Sequence, residues 1–86
     1  MRISFSDNGW EGYLHWQAGD PVELPKLNRV IEECRRTPFR GLGRPEPLKN
    51  QLRGWWSRRL TQEDRLIYRV TAPDQTLEII QCRFHY

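Results

Sequence analysis

Residues 55–71, WWSRRLTQEDRLIYRVT, contain two runs rich in aromatic, branched and arginine side chains, separated by the polar segment Thr-Gln-Glu. In the second run Leu66, Tyr68 and Val70 occupy every second position. This is the period of a β-strand with one buried face. A connection of three residues suits a tight hairpin. The predicted antiparallel strands are residues 55–60 and 64–71.

A third strand is predicted over residues 77–86, after a turn at residues 72–75. Antiparallel pairing that joins the apolar faces of the last two strands also joins their polar faces. The two sets in the last strand are Ile80, Cys82 and Phe84 on one face, and Gln81, Arg83 and His85 on the other.

This pairing predicts a group of basic side chains on the polar face of the sheet. Arg65 is expected beside Arg83 and diagonally from His85, because directly opposed and diagonal residues share a face. Across the hairpin, Arg59 is expected opposite Arg65. Four cationic or titratable side chains from three strands therefore meet on one surface.

Two helices are predicted upstream of this sheet, after a short first strand at residues 2–5. Ser6 is suited to cap the first helix, and Gly19 to end it. The helical spacing of Trp10, Tyr13, Leu14 and Gln17 predicts a short amphipathic helix with an aromatic face.

The second helix is predicted to begin near Leu24, because Pro25 removes a helical hydrogen bond if the helix starts earlier at the capping-box pattern of residues 20–23. The sequence Thr37-Pro38 ends it. Its predicted core stripe is Leu27, Val30, Ile31 and Cys34. Strands and helices together predict one α+β domain spanning residues 1–86.

A stiff loop is predicted between the second helix and the sheet. Residues 38–47 hold three prolines and two glycines, which disfavour regular structure but limit flexibility. Such a loop presents side chains in fixed positions. It carries Arg40, Arg44, Glu46 and, just beyond, Lys49.

Charge is distributed unevenly along the chain, whose 86 residues carry a net charge of +3. Residues 1–36 hold five basic and six acidic side chains, whereas residues 37–86 hold nine and five. Twelve of the fourteen cations are arginines, which bind phosphate or carboxylate through two nitrogens at once. An anionic partner is therefore expected at the second half of the chain.

No part of the sequence predicts a membrane span, a signal peptide or a metal site. The longest apolar runs are two or three residues, so we expect a cytoplasmic protein. Cys34 and Cys82 lie 48 residues apart without a CxxC pair, which favours two packed, reduced thiols over zinc ligands. His15 is expected to be a surface or packing histidine. We expect no cofactor.

The predicted polar surface has the groups that RNA cleavage requires. A base must take the proton of a ribose 2′-hydroxyl, a cation must stabilise the charge on the phosphate, and an acid must protonate the leaving oxygen. Glu46, Arg65 and His85 can fill these roles in that order without a metal. The alternative is that these side chains only solvate the open face of a sheet, as most such residues do.

Several motifs of the chain are distinctive: RRTPF at 35–39, GLGRPEPLK at 41–49, GWWSRR at 54–59, RLIY at 65–68 and CRFHY at 82–86. Together they closely resemble the YoeB (Txe/YoeB) family of bacterial toxins, within the RelE/ParE superfamily. The resemblance implies two N-terminal helices packed on a twisted, mainly antiparallel sheet. Leu42 and Asp64 depart from it, since the family often has Lys and His there.

The same resemblance implies a metal-independent endoribonuclease that cuts messenger RNA in the A site of the 70S ribosome, beside 16S rRNA. Glu46 matches the general base, His85 the general acid and Arg65 the phosphate ligand of the transition state. The expected product end is a 2′,3′-cyclic phosphate or its 3′-phosphate. The expected substrate contacts are Lys49, Arg59 and Tyr86 by resemblance, and Arg83 from the predicted polar face.

The implied protein partners are a YefM-like antitoxin and a second copy of the chain in a homodimer. Two rival functions share much of this pattern. One is a ParE-like toxin that inhibits DNA gyrase, against which Glu46 and the terminal His85-Tyr86 pair argue. The other is a noncatalytic module that binds RNA or the ribosome through arginines and the Trp55/Trp56 pair.

Overall fold

Two helices pack on one face of a five-stranded sheet. The computed structural model describes residues 1–19 and 21–84. Its elements are β1 (Arg2–Phe5), α1 (Asp7–Ala18), α2 (Glu23–Arg36), β2 (Glu46–Pro47), a 3₁₀ turn (Asn50–Leu52), β3 (Trp56–Arg59), β4 (Arg65–Thr71) and β5 (Thr76–Gln81).

The strand order is β1-β5-β4-β3-β2. Strand β1 runs parallel to β5, and every other neighbouring pair is antiparallel. The predicted α+β class and the mainly antiparallel sheet are therefore confirmed. We call the face that the helices cover the inner face and the opposite one the open face.

The core lies between the two helices and the inner face. Helix α2 contributes all four residues of its predicted stripe. The strands contribute the alternate residues that face the helices. The buried members are Trp16, Leu27, Val30, Ile31, Cys34, Leu60, Leu66, Tyr68, Leu77, Ile79 and Cys82.

Helix α2 begins at Glu23, one residue before the predicted start. Pro25 is its third residue, where the backbone N–H of any residue lacks a partner within the helix. Proline therefore removes no helical hydrogen bond at this position. The helix ends as predicted, with Thr37 as its C-cap.

The aromatic face of helix α1 is not its main buried face, since of the predicted stripe only Tyr13 packs partly against the core. Ser6 does cap the helix, accepting a hydrogen bond from the Gly9 N–H, but Trp10 and Leu14 are exposed. The buried residues are Gly9, Gly12 and Trp16. A Cβ at Gly9 would lie 2.4 Å from a backbone oxygen of β5, so glycine lets the helix approach the sheet closely.

A β-bulge changes the register between β4 and β5. Ile67 pairs with Gln81, but Tyr68 pairs with Ile79, which leaves Ile80 as the extra residue. Up to this point Leu77 and Ile79 face the core, so the predicted continuous alternation through Ile80 is wrong. The bulge changes which residues face the core, from Leu77 and Ile79 before it to Cys82 after it.

The loop and the last strand also differ from expectation. Glu46–Pro47 forms a short strand against β3, although residues 38–47 were predicted to hold no regular structure. Strand β5 ends at Gln81, so the predicted strand over residues 77–86 is too long. His85 and Tyr86 lie outside the described residues.

Both cysteines are free and buried. Burial raises the pKa of Cys34 to about 11 and that of Cys82 to about 12. At neutral pH these thiols are protonated packing groups, as predicted. No helix in the described part of the chain is long and apolar enough to cross a membrane.

Candidate active site

The open face carries a row of four residues that runs across the strands. Glu46 pairs with Ser57, Ser57 with Ile67, and Ile67 with Gln81. Residues that are directly opposite each other in a sheet share a face. The short strand β2 therefore places Glu46 at the edge of the open face.

Arg59 and Arg65 lie at the neighbouring position of the same face. They are directly opposite each other in the β3–β4 pair, as the hairpin spacing predicts. Each is two residues from a member of the row, Arg59 from Ser57 and Arg65 from Ile67. The structure thus brings the predicted carboxylate and two predicted phosphate ligands to one end of the open face.

Hydrogen bonds within the hairpin orient the Arg65 guanidinium. Its Nη1 donates to the carbonyl oxygens of Thr61, Gln62 and Asp64 at 2.9, 3.3 and 2.9 Å. These contacts use one nitrogen of the fork, and Nε and Nη2 make no hydrogen bond to residues 1–19 or 21–84. A guanidinium that the hairpin orients through one nitrogen suits a phosphate oxygen at the other two.

Lys49 lies beside Glu46. Both line a shallow surface pocket together with Leu48, which is buried, and with the 3₁₀ turn that follows. The Leu48 N–H donates to the Trp55 carbonyl at 2.9 Å, which holds this segment against the start of β3. Lys49 is exposed.

Arg83 lies beyond the end of β5, so it is not paired with Arg65 as predicted. A Cβ at Gly12 of α1 would lie 3.5 Å from the Arg83 Cβ, so Arg83 emerges next to the helix. It lines two cavities with α1; His15 lines both of them, and Asp64 lines one. The difference arises because β5 ends at Gln81: the pairing of Ile67 with Gln81 would place Arg83 opposite Arg65 only if the strand continued. His15 is exposed, as predicted.

The chain beyond β5 is held at Phe84. The Phe84 N–H donates to Asp64 Oδ1 at 2.8 Å. Its carbonyl accepts from the Arg65 N–H at 3.0 Å and from Gln81 Nε2 at 3.1 Å. Phe84 is therefore fixed next to Arg65 in space, and residues 85 and 86 begin one peptide bond further on.

A buried arginine anchors the loop that leads to Glu46. Arg58 is fully buried on the inner face, and its guanidinium donates to the carbonyl oxygens of Thr37, Arg40 and Leu42. Its Nε donates to the Tyr68 hydroxyl at 3.2 Å. Four hydrogen bonds to neutral oxygens thus satisfy a buried charge.

Further contacts fix the same loop from the other side. The Leu42 N–H donates to Glu33 Oε1 on α2 at 3.2 Å, and the Arg59 N–H donates to the Gly43 carbonyl at 2.6 Å. The Tyr68 hydroxyl donates to the Pro38 carbonyl, and burial raises its pKa. Glu46 is therefore presented by a backbone that is bonded on several sides.

Sequence reasoning missed Arg58, although a signal was present. Trp56 and Arg58 have the parity of the inner face, and Arg58 is opposite Leu66 of the core. An arginine at a position of core parity, next to a loop rich in proline and glycine, indicates an anchor for backbone carbonyls.

The other end of the open face carries a contact between an arginine and an aromatic ring. The Arg69 guanidinium lies 4.4 Å from the centroid of the Trp55 ring and pairs with Glu78 at 3.4 Å. Trp55 thus faces the open side, and Trp56 packs against the core. No group of three or more possible metal ligands occurs among residues 1–19 and 21–84.

Comparison with known proteins identifies the family. Residues 5–86 match the model of a YoeB-like toxin of bacterial type II toxin-antitoxin systems. The chain belongs to the YoeB toxin family. The toxin YoeB of Escherichia coli K12 is 50% identical over 86 residues, which cover 100% of both chains.

Solved structures agree with this assignment. A YoeB/ParE toxin from Agrobacterium tumefaciens is 49% identical, with a TM-score of 0.95 and complete coverage of both chains. YoeB of Staphylococcus aureus is 36% identical and was solved as a dimer and in a heterotetrameric complex with YefM. Its TM-scores are 0.85 and 0.86, with coverage of 100% of this chain and 98% of that one.

Proposed function

We propose that this YoeB-family toxin cuts messenger RNA in the ribosomal A site by attack of a ribose 2′-hydroxyl on the adjacent phosphate. Glu46 takes the hydroxyl proton, Arg65 binds the phosphate in the transition state, and His85 protonates the leaving oxygen. The observation that supports this most strongly is the meeting of Glu46, Arg65 and the anchored Phe84, which directly precedes His85, at one end of the open face.

The arrangement suits an in-line reaction at phosphorus. A base and an acid on either side of a phosphate act on the attacking and leaving oxygens, while cations stabilise the charge between them. Arg59, opposite Arg65, adds a second guanidinium to that phosphate position. Lys49, beside Glu46, extends the positive charge along the RNA backbone. We assign Tyr86 a contact with the substrate.

Arg83 keeps a proposed phosphate contact, but from a different side. It lies next to α1 and reaches the site from the edge that Phe84 forms, where its guanidinium is 4.3 Å from the Phe84 ring centroid. Such a position suits an RNA segment that leaves the site more than the scissile phosphate itself.

The ribosome compensates for the weak RNA binding that is expected of a chain with this charge. With a net charge of +3 the protein can neutralise few phosphates, so its affinity for free RNA is expected to be modest and to fall with salt. A codon held by the ribosome is already ordered, which removes much of the entropic cost of reaching the reactive geometry. We therefore expect efficient cleavage only on ribosomes, in the cytoplasm.

We also assign this chain a YefM-like antitoxin and a homodimeric state, on the precedent of the Staphylococcus aureus structures. The second half of the chain has a net charge of +4, which suits an acidic antitoxin segment. An antitoxin that folds along this half and displaces residues 83–86 would remove the proposed acid from the site. Residues 1–86 act as one domain in this scheme.

Cut-site mapping on translating ribosomes tests the catalytic assignment. Wild type, Glu46→Ala and His85→Ala are compared, and ribosome binding is measured by co-sedimentation. Each substitution is expected to abolish cleavage and to leave binding unchanged. Parallel loss of binding and cleavage would instead indicate a noncatalytic ribosome-binding module, and equal cleavage of free RNA by wild type would contradict the role of the ribosome.

A further inference from the structure

Asp64 connects the β3–β4 hairpin to the end of the chain. Its Oδ1 accepts from the Phe84 N–H at 2.8 Å, across 20 positions of sequence. Its Oδ2 accepts from the Thr61 hydroxyl at 2.9 Å. Both carboxylate oxygens are therefore used, one within the hairpin and one on the terminal segment.

The hairpin fixes the orientation of this carboxylate. Thr61 Oγ1 accepts from the N–H groups of Glu63 and Asp64 at 3.1 and 3.0 Å, so the hydroxyl that orients Asp64 is itself held by the turn. The Asp64 carbonyl accepts from the Leu60 N–H at 3.0 Å. Asp64 is thus a rigid acceptor, aimed away from the hairpin at the end of the chain.

Polar contacts rather than apolar packing hold Phe84. Its side chain is 59% exposed, whereas Cys82, two residues earlier, is fully buried. Its φ of 68° lies in the left-handed region, which a bulky residue rarely adopts unless its surroundings impose it. Asp64 holds the N–H, and Arg65 and Gln81 hold the carbonyl.

We propose that Asp64 is a positioning residue, whose carboxylate holds the Phe84 N–H so that the following His85 is presented to the scissile bond beside Arg65. This inference rests on the proposed function of His85 as the acid. Asp64 does not touch the substrate, and it acts through a single backbone hydrogen bond.

Two substitutions separate hydrogen bonding from charge. Asp64→Ala removes the acceptor, and Asp64→Asn keeps an oxygen for the Phe84 N–H while removing the charge. The single-turnover cleavage rate on programmed ribosomes is measured over a range of toxin concentrations. Asp64→Ala is expected to lower the rate at saturation by about tenfold to a hundredfold without changing the half-saturating concentration. Asp64→Asn is expected to recover most of the rate.

A backbone variant tests the same bond from the other side. Ligation at Cys82 of a synthetic segment 82–86 can replace the Phe84 amide by an ester, which removes the N–H and leaves Asp64 intact. The ester is expected to match Asp64→Ala, and the combination is expected to be no slower than either alone, because both remove one bond. The ester keeps the test informative if Asp64→Ala does not fold.

The outcomes distinguish this inference from the proposed function. If His85→Ala is inactive but Asp64→Ala and the ester cleave at the wild-type rate, the positioning role is wrong and the function stands. An Asp64→Asn variant as slow as Asp64→Ala would also overturn it, since charge would then be the cause. If His85→Ala cleaves like wild type, the proposed function itself fails.

Discussion

Arg59 and Arg65 lie directly opposite each other on the open face of the β3–β4 pair. Like charges at opposed positions destabilise a strand pair, so this arrangement is unfavourable without an anion between them. A bound phosphate would relieve the repulsion and contact two guanidinium groups. The pair is therefore expected to be both a binding feature and a source of instability.

Inorganic phosphate should stabilise the folded protein through this pair. At a concentration about five times its dissociation constant, phosphate is expected to raise the free energy of unfolding by about 1 kcal/mol relative to chloride at equal ionic strength. Urea unfolding measures the difference. Arg59→Gln should reduce it, whereas Arg2→Gln, an exposed arginine on the opposite edge strand, should not. An equal effect of both substitutions would contradict the assignment.

Replacing Arg58 should loosen the loop that presents Glu46. Arg58→Met keeps much of the side-chain volume but leaves the carbonyl oxygens of Thr37, Arg40 and Leu42 without their donor. We expect a loss of about 3 kcal/mol in the free energy of unfolding. Urea unfolding measures it, with Arg29→Met on the exposed side of α2 as the control. Equal stability of the two variants would show that Arg58 is not an anchor.

The buried thiols should be unreactive in the folded protein. Burial raises the pKa of Cys34 from 9.0 to about 11, which lowers its thiolate fraction about a hundredfold at pH 8. Alkylation by iodoacetamide at pH 8 is expected to be slow in buffer and fast in urea. Rapid modification of either thiol without urea would contradict their burial.

The same pKa shifts predict how stability depends on pH. Above pH 9 the unfolded chain loses its thiol protons while the folded chain keeps them, since the folded pKa values are about 11 for Cys34 and about 12 for Cys82. The unfolded state then binds fewer protons than the folded state. This contribution to the free energy of unfolding is therefore fully present below pH 9 and falls as the pH rises towards 11. Urea unfolding between pH 8 and 10.5 measures this decline, which Cys82→Ala should reduce.

The elements with strong periodicity could be predicted from the sequence. The stripe of α2 is buried as expected, because four apolar side chains at helical spacing leave one way to form a core. The hairpin register that opposes Arg59 to Arg65 follows from the short connection alone. Both features are determined by residues within one short segment of the chain.

Features that depend on contact between distant segments could not be predicted in this way. The buried face of α1 is set by Gly9 and Gly12, which have no side chain and so allow close contact with β5 and with Cys82 just after it. The end of β5 at Gln81 interrupts an alternation that continues in the sequence, so Arg83 lies next to α1 and not opposite Arg65. The hydrogen bond between Phe84 and Asp64 joins residues 20 positions apart, and the one between Arg58 and Thr37 joins residues 21 positions apart.

The central claim is that a ribose 2′-hydroxyl of the messenger is the nucleophile, activated by Glu46 beside Arg65 and Arg59. The most direct test is cleavage of a ribosome-bound messenger with one 2′-deoxynucleotide immediately 5′ of the scissile phosphate. We predict that this change abolishes cleavage at that bond, while the all-ribose messenger yields a 2′,3′-cyclic phosphate or the 3′-phosphate derived from it. Undiminished cleavage of the deoxy-substituted messenger would contradict the mechanism.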